Sequence, residues 1–116
     1  MTREELMIND IVFDYTNSPV KVCAVGQDIV VKNVFGVGVL DPNELNPIPL
    51  TEEILVKNGW RKEPITIDGD YANWHGEIPT SQAEDEYNYA DIELRYVHTL
   101  QHLLRLCGIE KELVID

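Results

Sequence analysis

Two histidines four residues apart, His98 and His102, are the first side chains in this sequence whose spacing could do chemistry. On a helix that spacing puts both imidazoles on one face, the ligand arrangement of the H-E-x-x-H zinc motif. Thr99 stands where that motif keeps its general-base glutamate, and no third ligand is evident. The pair is a weak metal candidate. The sequence favours a solvated polar face shared by His98, His102 and Arg105, partly exposed and holding no metal. Asp68 and Asp70 have the opening spacing of a calcium loop, but Ala72 falls at an oxygen position and Asn73 at the glycine position. They read as turn acids. Glu84-Asp85-Glu86 is the densest carboxylate group. Adjacent acids on an exposed loop stay solvated and do not separate their pKa values as an acid–base pair must.

The nucleophiles are equally plain. Cys23 and Cys107 lie among apolar neighbours with no C-x-x-C, which predicts two buried thiols in a reducing compartment. Ser18 and Ser81 sit beside turn residues with no neighbouring histidine. Gly36-Val37-Gly38 lacks the third glycine and following helix of a dinucleotide loop, and no phosphate loop or nucleophile elbow occurs. The expectation is no catalytic residue and no cofactor.

One asymmetry points to binding. Glu63 to Leu94 contains nine Asp or Glu and no Lys or Arg, interleaved with Tyr71, Trp74, Tyr87 and Tyr89. Aromatics that anchor beside carboxylates that steer would suit a basic partner. Tyr71, Trp74, Glu84, Asp85, Glu86, Tyr87 and Tyr89 are the candidate contact set. The competing reading makes the rings core and the acids solubilising, since strand alternation must bury some of those rings.

Composition bounds what can carry such a site. The chain has 116 residues, enough for one domain or two small subdomains sharing a core. Hydrophobic residues make up 44%, an ordinary foldable fraction. Nine basic against twenty-one acidic residues give a net charge of −12. Affinity for nucleic acid comes mostly from Lys and Arg, so free nucleic acid is excluded as a partner. No apolar run approaches the roughly 18 residues of a spanning helix, and the start resembles no signal peptide. The expectation is a cytoplasmic protein that meets no membrane.

The elements follow from periodicity. Residues 11–40 alternate in short β-branched runs separated by turns, giving four strands. So many short strands predict a small SH3-like barrel or a rolled meander over 1–50. Asp41 to Leu50 holds three prolines and reads as an ordered connection. Thr51 caps a short helix over 52–58, with Gly59 after it. Strands are expected over 60–67 and 70–75 around an Asp68-Gly69 hairpin, a polar loop over 77–86, and one strand over 87–95. Tyr96, Val97, Leu100, Leu103, Leu104 and Cys107 then form a helical stripe ending at Gly108, packed on the sheet. A last edge strand is expected over 112–115. The fold class is α+β with antiparallel pairing, divided as 1–50 and 51–116 in one continuous folding unit.

Three stretches carry a resemblance: Leu6 to Val12, Pro47 to Leu55 with Lys57-Asn58-Gly59-Trp60, and Tyr96-Val97-His98 with Leu100-Gln101. Through them the chain resembles a group of short proteins of Bacteroides-type gut bacteria, often encoded in prophage-like or mobile regions. That group brings no assigned activity. Relatives vary at the positions of Thr99 and His102, which argues against a metal role. They usually carry Gly at the position of Asn9, where both residues tolerate a tight turn.

The leading functional reading is a non-enzymatic accessory or binding protein acting through its surface. A second is an acidic mimic of nucleic acid or binder of a basic protein. A third, of another class, is a metal-dependent hydrolase using His98 and His102.

Overall fold

The computed structural model describes residues 1–115, which divide into two compact units, Met1–Ile48 and a second from Pro49 onward. The class is α+β with two antiparallel sheets.

The first unit contains β1 (Ile11–Phe13), β2 (Pro19–Val25), β3 (Ile29–Asn33) and β4 (Gly36–Leu40), paired in chain order. Alternation turns Val12, Val20, Val22, Ile29 and Val31 inward, where they pack with Leu6 and Leu45. The register shifts between Val22 and Ala24, a bulge that leaves Cys23 half-buried. β1 and β4 do not pair, so the sheet is an open meander and not a closed barrel. Asn9 takes the left-handed conformation (φ 77°) that the turn before β1 requires. The fully buried Asp10 stabilises that turn, its Oδ2 accepting from the Met7 N–H at 2.8 Å.

In the second unit, α1 (Glu52–Lys57) begins at Thr51, whose Oγ1 accepts from the Ile54 N–H at 3.3 Å. Glu52 and Glu53 lie in its first turn, where the helix dipole favours carboxylates. A five-stranded sheet follows in chain order: β5 (Arg61–Pro64), β6 (Tyr71–His75), β7 (Thr80–Ala83), β8 (Glu86–Tyr89) and β9 (Ile92–Glu93). Pro64 ends the edge strand, the position a proline tolerates. The chain closes with α2 (Val97–Leu106), stopped by Gly108 at φ 73°.

Four expectations are corrected. The 77–86 segment is not all loop, because β7 lies within it. The 87–95 segment is a hairpin turning at Ala90-Asp91, which leaves Ala90 and Ile92 exposed while Tyr87 and Leu94 are buried. Cys107 is exposed rather than core, as α2 ends before its stripe reaches that position. Residues 112–115 form no strand; their backbone is held by side chains of α1's end. No helix among the described residues is long and apolar enough to cross a membrane.

Candidate functional site

The register of the five-stranded sheet divides the aromatic candidates. Lys62 pairs with Trp74, Trp74 with Thr80, and Gln82 with both Ala72 and Tyr87. Paired residues share a face, so Lys62, Ala72, Trp74, Thr80, Gln82, Tyr87 and Tyr89 point one way. Tyr71, Ala83 and Glu86 point the other way. Trp74 is 1% exposed and Tyr87 is buried, so both are core side chains rather than free anchors. Tyr89 is half-buried, and Tyr71 is 45% exposed on the outer face. Glu84 and Asp85 form the exposed two-residue turn between β7 and β8, with Glu84 at φ 57°. Alternation therefore separates the candidates: Trp74, Tyr87 and Tyr89 lie on the inner face, Tyr71 and Glu86 on the outer one, and Glu84 and Asp85 at the turn.

The inner face opens beside α1. Ile54 and Leu55 are buried, while Glu52, Glu53, Val56 and Lys57 face outward. Together with Lys62 and the edge of Trp74 they line an open groove of about 570 Å³. Trp74 is fixed in its floor by its indole N–H, which donates to Gln82 Oε1 at 2.8 Å. The Lys62 ammonium bonds to the Glu52 carboxylate and stands 6.0 Å from the Trp74 ring centroid. That distance is the outer reach of a cation–π contact. The groove thus already holds one ammonium between a carboxylate and an indole.

The acidic turn acts on the same region. Burial, and then the charges of Glu52 and Asp85, push the Tyr87 phenol above its ordinary pKa. Negative potential from α1 and from the β7–β8 turn meets around that hydroxyl. The other carboxylates have local work. Asp68 sits below the ordinary carboxylate range because the Thr66 hydroxyl and the Asp70 N–H donate to it within the β5–β6 turn. Glu77 is lowered chiefly by its hydrogen bond from Lys111, at 2.7 Å.

The histidine pair is not a solvated face. His98 is only 7% exposed, stacked on Tyr96 at 5.7 Å and in edge contact with His102 at 5.5 Å. His102 and Arg105 are half-buried. The helix buries a wider face than its apolar stripe, Gln101 included, so the polar side opposite the stripe is narrower than the sequence suggests. Among the described residues no three His, Cys, Asp or Glu side chains converge to hold a metal ion. Ser18 and Ser81 are exposed, with Ser81 Oγ bonded to the Asn88 carbonyl.

Sequence reasoning missed Glu52, Glu53, Val56, Lys57 and Lys62 as site residues. Their one local signal is spacing: Glu52 and Val56, and Glu53 and Lys57, stand four apart on the side of α1 away from Ile54 and Leu55. Comparison with known proteins returns no matching family model, no matching curated protein and no matching solved structure.

Proposed function

We propose that the protein is a non-enzymatic binding module whose second unit takes a basic segment of a protein partner in the groove between α1 and the β5–β6 hairpin. The observation that carries this reading is the seat of Lys62. An ammonium already lies between the Glu52 carboxylate and the Trp74 ring. A partner's Lys or Arg side chain would meet the exposed Glu52 and Glu53 carboxylates beside that ammonium, with Val56 for its methylene stem. The wider charge supports this. From residue 49 onward there are six basic and fourteen acidic residues, a net of −8, which steers cations toward this unit. The reading also absorbs the acidic turn, since Asp85 and Glu52 both act on Tyr87.

A fluorescein-labelled peptide of mixed lysine and arginine tests the proposal by anisotropy. Saturable binding at low salt that weakens as salt rises is expected. Glu52→Gln with Glu53→Gln should weaken it several-fold. Glu4→Gln with Asp28→Asn, an equal charge change on exposed residues of the other unit, should not. No binding at low salt, or equal losses in the two double variants, would overturn it.

A further inference from the structure

The two open sheets have four edges, and three are protected. β1 is three residues long and its far side is closed by Asn46, which exchanges hydrogen bonds with Phe13 at 2.8 and 2.9 Å. β5 carries Arg61, Lys62 and Glu63 and ends in Pro64. β9 has two residues. Charge, proline, shortness and cover are the usual devices that keep sheet edges from pairing with other chains. β4, Gly36-Val37-Gly38-Val39-Leu40, has none of them. It is five residues long, uncharged, and among the described residues no strand lies on its far side.

The register says which backbone groups that edge presents. Asn33 and Gly36 flank the two-residue loop Val34-Phe35 and form the bonded pair that closes a hairpin. Bonded and non-bonded pairs then alternate, so Gly38 and Leu40 bond to β3 while Val37 and Val39 turn their N–H and C=O groups outward. The side chains beside these groups are bare: Val37 is 72% exposed, Val39 63%, and Val34 and Phe35 94% each. Hairpin loops of this length favour Asn and Gly, so a β-branched and an aromatic residue here oppose the local turn preference.

We propose that β4 is the edge through which two copies of this chain pair antiparallel about a two-fold axis at Gly38, joining two four-stranded sheets into one of eight. On that axis Val37 of each copy meets Val39 of the other as bonded pairs, and the two Gly38 residues face each other as the close, non-bonded pair. An ideal Cβ at Gly38 has nothing within 4 Å, so the axis is unobstructed by the chain itself. The same pairing carries the Val34-Phe35 loop of each copy to the Leu40 end of the other strand. Symmetry selects this occupant, since Val37-Gly38-Val39 reads the same in both directions about the axis. A basic or acidic partner strand finds no counter-charge along β4, whereas an identical uncharged strand needs none. One pair of five-residue strands with four exposed side chains per copy is small against the roughly 1,000 Å² of a specific interface, so the dimer is weak and concentration-dependent.

Sedimentation equilibrium of the purified chain, from low micromolar to several hundred micromolar, tests this at low and high salt. A monomer–dimer equilibrium is expected, with the dimer favoured by salt because two chains of charge −12 repel each other. That salt response is opposite in sign to the one expected of a basic partner, so the two proposals fail separately. Val39→Pro removes an N–H that points away from β3, and should leave a monomer at every concentration with an unchanged circular dichroism spectrum. Val37→Lys, a charge on the exposed edge, should do the same should the proline variant fold poorly. A monomer throughout, a dimer that survives Val37→Lys, or assembly that grows beyond two copies would overturn the proposal.

Discussion

Asn58 and Val114 are joined as two strands would be, with a side chain playing one strand. The Asn58 carboxamide donates to the Val114 carbonyl at 2.8 Å and its oxygen accepts from the Val114 N–H at 2.6 Å. The same amide nitrogen bonds the Ile54 carbonyl at 2.8 Å, near the end of α1. One buried residue therefore caps a helix and fastens the C-terminal segment. Asn58→Ala leaves these groups unpaired and should cost about 1–3 kcal/mol. Urea unfolding measures that loss, and limited proteolysis should show residues 109–115 cut first. An unchanged midpoint would show that the segment is held by other contacts.

Gly76 and Gly38 make a controlled pair. A Cβ at Gly76 would collide with the Trp60 indole ring, and Trp60 is held in place by its bond to the Ile78 carbonyl at 3.1 Å. A Cβ at Gly38 meets nothing. Gly76→Ala should destabilise by about 1–3 kcal/mol, an overpacking cost. Gly38→Ala should be neutral or slightly stabilising when measured on dilute monomer, since alanine restricts the unfolded chain more than glycine. Equal melting temperatures for the two variants would contradict this.

Leu100 is fully buried in α2, flanked on the same face by Val97, Leu103 and Leu104. Leu100→Ala should cost about 2–5 kcal/mol through lost burial and a cavity, a large part of the stability of a small domain. Thermal melting checks it.

The Glu77–Lys111 pair has a defined pH dependence. The folded pKa of Glu77 is depressed, so its contribution is present above the ordinary carboxylate range and is lost as pH falls through the lower, folded value. The stability difference between wild type and Glu77→Gln should therefore favour wild type at neutral pH and vanish on acidification. A difference that grows in acid would reverse the sign and refute the assignment.

Both helices were legible from the sequence because their ends carry chemistry: Thr51 as a cap and Gly108 as a left-handed stop. The two hairpins at Glu84-Asp85 and Ala90-Asp91 were not. Each turns through a non-glycine residue at positive φ, at Glu84 and Ala90, so the usual turn residues are missing. β7 reads Thr-Ser-Gln-Ala, too polar to announce a strand. The burial of His98 depends on how wide a face α2 buries, which the apolar stripe understates. The groove was hidden for a related reason. Glu52 and Glu53 have a sufficient local explanation in the helix dipole, and only the pairing of Lys62 with Trp74 brings an ammonium and an indole beside them.

The association rate with the basic peptide, followed by stopped flow against salt, tests the binding account most directly. Three proteins are compared: wild type, Glu52→Gln with Glu53→Gln, and Glu84→Gln with Asp85→Asn and Glu86→Gln. Steering over about 8 Å near physiological ionic strength predicts a wild-type rate that falls as salt rises. Both variants should associate more slowly and with a flatter salt dependence. The unfolding midpoint of the turn variant should match wild type, since exposed charges contribute little to stability. That of the α1 variant should fall slightly with the loss of the Lys62 pair and of the dipole-facing carboxylates. A rate indifferent to salt and to both sets of substitutions would contradict the account.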